Sequence, residues 1–158
     1  MEQKAAQARK MKTVITKYLD ECEATGVEPR LSAVVDVESV GRVFAVVDGD
    51  PRPLILYEPH LFYRKLTGAA RDEAVRLKLA SKKRNSKLYG KTQADRWEQI
   101  AAAQALCQRH GVPDTAAFES ASYGVGQVLG EHWDNLGFES FQAFYDLMMS
   151  GAGGQIDI

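Results

Sequence analysis

Carboxylates placed where water should be scarce are the side chains in this sequence best suited to chemistry, and two stand out. Leu31, Val34, Val35 and Glu38 recur at helical spacing, so the Glu38 carboxyl lies on the face that a helix over 31–40 would bury. Loss of water disfavours the charged form and raises a carboxyl pKa. A general acid needs that condition to hold its proton near neutral pH and donate it to a leaving oxygen, such as that of a glycosidic bond. The competing reading is a Glu near a helix C-terminus that reaches out to solvent. Glu58 ends the apolar strand face Leu54, Leu56, Glu58, and Pro59 and His60 follow it. Two carboxylates facing each other across a cleft can divide the work, one as acid, the other activating water or stabilising positive charge on a sugar. Alternatively, Glu58 caps a helix beginning at Pro59, where negative charge is favourable. Glu58 and His60 could also begin a metal site, but no spaced cluster of further ligands accompanies them.

A third segment, Glu119-Ser120-Ala121-Ser122-Tyr123-Gly124-Val125-Gly126-Gln127-Val128-Leu129-Gly130, crowds small residues around Tyr123 and Gln127. Its glycines permit close approach of backbone or ligand. An exposed Tyr123 with Ser120, Ser122 and Gln127 nearby could bind a sugar by ring stacking and hydrogen bonds, while close packing of a small-residue helix explains the same composition. Trp97, Trp133 and the other histidines have core or rim readings. Asp48-Gly49-Asp50 reads as a turn rather than a calcium loop.

The elements that must position these groups follow from periodicity. Met11, Val14, Ile15, Tyr18, Leu19 and Cys22 form one face of an amphipathic helix that Gly26 and Pro29 end. Gly41 terminates the helix bearing Glu38. Phe44–Val47 and Leu54–Glu58 are predicted to form a β-hairpin across the turn-rich 48–53 segment. Pro59 opens a helix carrying Phe62 and Leu66, and helical patterning resumes around Ala70 to Ala80. After a polar loop over 81–91, Thr92 and Asp95 form a capping box for a helix bearing Trp97 and Ile100, which Gly111 and Pro113 stop. Asp114 is placed to cap a helix running towards Ser120. Ser140 is placed to cap a last helix with Phe141, Phe144, Tyr145 and Met148 as its core stripe. The Gly151-Ala152-Gly153-Gly154 tail is flexible by composition. The expected fold class is α+β, predominantly α-helical, with one small β-hairpin.

Bulk properties bound the possibilities. The chain has 158 residues, 45% of them hydrophobic and 26% charged, with a mean hydropathy of −0.30, which fits one globular domain with a single core. No apolar run approaches the roughly 20 residues of a membrane-spanning helix. Met1 to Lys12 mixes Glu, Gln, Lys and Arg where a secretory signal would need an apolar stretch, so no signal peptide and cytoplasmic synthesis are expected. Cys22 and Cys107 read as reduced, core-facing side chains. Net charge is −1 but uneven: Arg76, Lys78, Lys82, Lys83, Arg84, Lys87 and Lys91 share a stretch without acids, whereas 111–158 has no Lys or Arg. Such asymmetry can orient a protein on an acidic polymer, or simply be a solvated face. Few aromatics are interleaved there, which disfavours a nucleic-acid site.

Taken in order, Ala33-Val34-Val35-Asp36-Val37-Glu38-Ser39, Pro53-Leu54-Ile55-Leu56-Tyr57-Glu58-Pro59-His60-Leu61-Phe62 and the Glu119–Gly130 segment, with Tyr89-Gly90 and Trp97 between them and a closing Gln155-Ile156-Asp157, resemble the N-acetylmuramidase family of bacteriophage endolysins. The resemblance implies a lysozyme-like fold over residues 1–158 as a single catalytic domain, with 1–28 as an N-terminal helix. Domains of this family usually run on past the counterpart of Gln155-Ile156-Asp157, so a domain cut short at its C-terminus is also implied. The implied activity is hydrolysis of the β-1,4 bond between N-acetylmuramic acid and N-acetylglucosamine, with Glu38 as the catalytic glutamate, Glu58 as the second carboxylate, and His60, Ser120, Ser122, Tyr123 and Gln127 at the substrate. Tyr123 stands where the family more often has Trp. A lytic transglycosylase or a non-catalytic peptidoglycan-binding protein are the alternatives. The expected partner is bacterial peptidoglycan, met as a monomer with no cofactor, metal, nucleic acid or inserted membrane segment. The protein would be made in the bacterial host cytoplasm and act on the wall, on the periplasmic side, after release.

Overall fold

The computed structural model describes residues 44–151 and 154–155. The predicted helices before residue 41, with Cys22 and Glu38, lie outside the described residues.

Two small antiparallel sheets and five α-helices make up the described part, an α+β arrangement in which helix predominates. Strand β1 (Phe44–Val47) pairs with β2 (Asp50–Pro53) in the register Phe44↔Pro53 to Val47↔Asp50. This corrects the predicted hairpin. Asp48 and Gly49, with φ of 53° and 90°, suffice to reverse the chain as a two-residue loop with both φ positive, so residues 50–53 become strand rather than turn. Pro51 and Pro53 are tolerated because each strand of a two-stranded ribbon has a free edge. Residues 55–57 are thereby released from β1. Strand β3 (Ile55–Tyr57) pairs instead with β4 (Ala121–Tyr123), which pairs with β5 (Val128–Leu129). The segment around Tyr123, readable as a packed helix, is thus a strand pair joined by a tight loop.

Helix α1 (Pro59–Lys65) has Pro59 in its first turn and buries Leu61 and Phe62, with Leu66 buried just beyond. Helix α2 (Gly68–Arg76) stops short of the predicted Ala80, because Lys78 turns into the left-handed region (φ 61°) and the amides of Lys78 and Leu79 return to Val75 and Ala74. The central helix α3 (Gln93–His110) has the predicted capping box, Thr92 with Asp95, and ends at left-handed Gly111 (φ 64°). It packs against α2, β1, β3 and the short α4 (Thr115–Phe118). Asp114 does not cap α4. Its carboxylate accepts from Gln104 and Gln108 on α3, and the helix ends before Ser120. Helix α5 (Phe141–Met149) is capped by the Ser140 hydroxyl, which accepts from the Ala143 amide, and it buries Phe141, Phe144 and Met148 as predicted.

The core runs from Tyr57, Phe62 and Leu66 through Trp97, Ile100 and Leu106 to Tyr123, Phe144 and Met148. Cys107 lies inside it as a free thiol, which burial pushes up to about 11. Gln155, which follows the 151–154 run, is held in place. Gln155 is buried, its side-chain oxygen accepts from the Val125 amide at 3.0 Å and its side-chain nitrogen donates to the Met148 carbonyl at 2.8 Å. The amide therefore bridges α5 to the β4–β5 loop.

Two outcomes follow. Gly124 has φ 72°, and a Cβ there would come within 2.7 Å of the Gln155 side-chain oxygen. Gly124→Ala is therefore expected to destabilise the protein by about 2 kcal/mol, read by urea unfolding. In a Cys22→Ser background, Cys107 is expected to resist a thiol reagent at pH 8 and to react fully once the protein is unfolded in guanidinium.

Candidate active site

The site is built where β3 meets α1. Alternation along β3 points Ile55 and Tyr57 into the core, with zero exposure, and leaves Leu56 and Glu58 on the other face. The β3–β4 ladder continues one step beyond the strands, the Glu58 amide donating to the Ser120 carbonyl at 2.8 Å. Leu56 and Ser122 are cross-strand partners, so Leu56, Glu58, Ser120 and Ser122 come to one region of the sheet.

Glu58 occupies the N-cap position of α1, but its side chain makes no cap hydrogen bond. Only 8% of the residue is exposed. Its Oε2 accepts from the Tyr89 hydroxyl at 2.7 Å, and the Arg84 guanidinium stands 3.7 Å from Oε1. The His60 Nδ1 lies 3.3 Å from Oε2 without hydrogen-bond alignment. The Tyr89 phenol is raised above its ordinary pKa, first by burial and then by its donation to Glu58, with Arg84 acting the other way. Arg84 also donates through Nε to the Tyr89 oxygen at 2.9 Å. A buried carboxylate is thus flanked by a phenol, a guanidinium and an imidazole, a set that can hold it in one orientation.

The loop carrying Arg84 and Tyr89 is fixed from below by α3. Gln99 donates to the Leu88 carbonyl at 2.6 Å and accepts from the Gly90 amide at 3.0 Å, and the Arg96 Nε donates to the Gly90 carbonyl at 3.0 Å. A Cβ on Gly90 would approach the Arg96 amide nitrogen to 2.8 Å, so only glycine lets the loop lie this close to the helix. Gln93 and Arg96, also on α3, bond the Ile55 peptide group on the β3 edge away from β4.

The structure sorts the other predicted site residues. Tyr123 is not an exposed stacking platform. It is fully buried, its hydroxyl donates to the Phe118 carbonyl at 2.8 Å, and its ring meets Phe141, Phe144 and Tyr145 edge-on. Ser120 is also closed off from solvent, its hydroxyl donating to the Ala116 carbonyl at 2.7 Å. Both substrate-contact expectations are corrected, for different reasons: alternation and the β3–β4 pairing turn Tyr123 into the core beside Ile55, whereas Ser120, on the Glu58 face, is covered by the end of α4 through its bond to Ala116. Ser122 is buried at 9% exposure. Gln127, half-buried and left-handed at φ 48°, bonds the Gly124 carbonyl at 2.8 Å and so shapes the β4–β5 loop. His60 is half-buried beside Glu58. Glu38 lies outside the described residues.

Sequence reasoning missed Arg84 as a site residue and the hydroxyl of Tyr89 as a partner of Glu58. It also missed a neighbouring cluster in which Glu119 accepts from the Trp133 indole at 3.0 Å and from Lys65 at 3.1 Å, with Lys65 bridging to Glu131 at 3.3 Å. A Tyr-Gly pair in a loop rich in cations was the visible signal for the first. Among the described residues no group of His, Cys, Asp or Glu is spaced to hold a metal, and no helix is long and apolar enough to cross a membrane.

Comparison with known proteins agrees with this architecture. The crystal structure of the Burkholderia AP3 phage endolysin is similar at 35% identity with a TM-score of 0.60, over 79% of this chain and 44% of that one. The chain therefore spans less than half the length of that endolysin, and its lysozyme-like α+β fold is shared with it. No curated protein matches the chain. Residues 28–158 match the N-acetylmuramidase (Muramidase) family model, and with most of its length so matched, the chain belongs to the N-acetylmuramidase family.

Proposed function

We propose that this protein is a peptidoglycan hydrolase that cuts the β-1,4 bond between N-acetylmuramic acid and N-acetylglucosamine. The observation that carries the reading is the family match over residues 28–158. The held, nearly buried carboxylate of Glu58 supports it. In this mechanism Glu38 is the general acid and protonates the leaving glycosidic oxygen. Glu58 stabilises the positive charge that builds on the sugar or directs the water that completes hydrolysis. Tyr89 and Arg84 are positioning groups for Glu58, and His60 borders the same carboxylate. The protein acts on bacterial cell wall, as a monomer, after synthesis in the host cytoplasm.

Glu38→Gln preserves shape and removes the proton donor. It is expected to abolish the fall in turbidity of outer-membrane-permeabilised cells while the circular dichroism spectrum stays unchanged; full lysis by the variant would overturn the assignment. Mass spectrometry of the released muropeptides is expected to show reducing ends, whereas 1,6-anhydro ends would make the enzyme a lytic transglycosylase. Binding of peptidoglycan without any release would make it a non-catalytic wall-binding protein.

Tyr89→Phe removes the 2.7 Å donor to Glu58. Loss of one hydrogen bond to a charged group is expected to lower kcat roughly tenfold or more with little change in KM. A change confined to KM would mean that Tyr89 contacts substrate rather than orienting Glu58.

A further inference from the structure

Between Glu73 and Asp95 the chain has no acidic residue. Its cations there, Arg76, Lys78, Lys82, Lys83, Arg84, Lys87 and Lys91, are all exposed. Some have a carboxylate close by: Arg76 lies 4.0 Å from Glu73, Arg84 lies 3.7 Å from Glu58, and Lys91 acts on Asp95. Lys82, Lys83 and Lys87 form no ion pair among the described residues. The net charge of the whole chain is −1, so this concentration of positive charge is local.

A loop that serves only to stay hydrated has no need of a fixed shape, yet this one is tied down along its length. The Ser81 amide donates to the Pro59 carbonyl at 3.1 Å and the Ser81 hydroxyl to the Lys83 carbonyl at 2.6 Å. Asn85 caps a 3-10 turn (Ser86–Leu88) by accepting from the Lys87 amide at 3.1 Å. Gln99 holds Leu88, and Tyr89 ends the run on Glu58. Lys82, Lys83 and Lys87 lie within three positions of Arg84 in the chain, hence at most ~11 Å from the residue that meets Glu58. That span is about one Debye length at physiological salt. Among the described residues, the fold thus presents ammonium groups without an ion-pair partner beside the residue that meets Glu58.

We propose that the 81–88 loop is a binding surface for the carboxylate-bearing peptide branches of the substrate strand. This rests on the hydrolase reading above. In an alternating N-acetylmuramic acid–N-acetylglucosamine polymer the sugars are uncharged once the lactyl groups are amidated, so the negative charge sits on the attached peptides. A strand lying against Glu58 carries those peptides to its sides, where the ammonium groups of Lys82, Lys83 and Lys87 meet them. Long, mobile lysines suit carboxylates at varying positions better than the rigid fork of arginine does.

The test uses the full chain and a Lys82→Gln, Lys83→Gln, Lys87→Gln variant, with two probes: peptide-bearing strands, whose peptides keep their free carboxylates, and amidated strands, the same polymer with those carboxylates converted to neutral carboxamides. For the wild type, KM is expected to be lower on the peptide-bearing strands by roughly tenfold at low salt. The difference is expected to vanish in the variant and in ~0.5 M salt, where screening is nearly complete. Equal KM on both probes for the wild type, or an equal loss on both for the variant, would overturn the proposal. Co-sedimentation with the same strands separates it from the question of cleavage. Selective binding of peptide-bearing strands without hydrolysis would uphold the surface and remove the hydrolase assignment, and cleavage without selectivity would do the reverse. Tighter salt-dependent binding to duplex DNA or to phosphatidylglycerol vesicles than to the peptide-bearing strands would also count against it.

Discussion

A carboxylate with 8% of its residue surface exposed has to be hydrated by the protein itself, and the neighbourhood of Glu58 is organised around that need. Removing an ionised group from water costs several kcal/mol unless donors replace the lost shell. Here the donors come from a loop that joins α2 to α3, so the loop cannot move freely. Tyr89 reaches Glu58 only because Gly90 lets the backbone lie against α3, and Gln99 and Arg96 hold it there. One electrostatic requirement at the end of β3 thereby fixes a segment whose composition, polar and cationic, would otherwise leave it loose.

A second constraint acts on the other side of the sheet. Strand β4 carries Tyr123 into the aromatic core formed with Phe141, Phe144 and Tyr145, and the chain must then reverse through Gly124 to form β5. Gln155 occupies the space that glycine leaves and gives the Val125 amide a partner. Gln155, the β4–β5 turn and the end of α5 are one packed unit.

Local rules carried most of the helix assignments. The Thr92–Asp95 capping box, the Gly111 stop, Ser140 and the Phe141, Phe144, Met148 stripe were legible because each depends on residues a few positions apart. What depends on distant partners was not legible. Asp48-Gly49 announces a reversal, but the alternation of Leu54 to Glu58 cannot say whether the strand returns to β1 or waits for Ala121–Tyr123. Tyr123 looked like an aromatic platform because a run of small residues around a tyrosine suits either a sugar or a tight core, and only the pairing decides which. Glu58 itself was found from its place at the end of an apolar face. Its partners were not, because Tyr89 and Arg84 stand far along the chain in a segment whose charge pattern also fits plain hydration.

The clamp of Gln93 on Ile55 has a meaning beyond the site. In β3 the peptide group of Ile55 points away from β4 and would lie open, as at the margin of any small sheet. Its N–H and C=O both meet the Gln93 side-chain amide, at 2.9 and 3.1 Å, so a single glutamine reproduces the donor and acceptor that a further strand would bring. An open strand margin is where separate molecules stick together. With a side chain of its own filling that place, the protein leaves no vacancy for a neighbour's backbone at Ile55, and crowding many copies together gains nothing there.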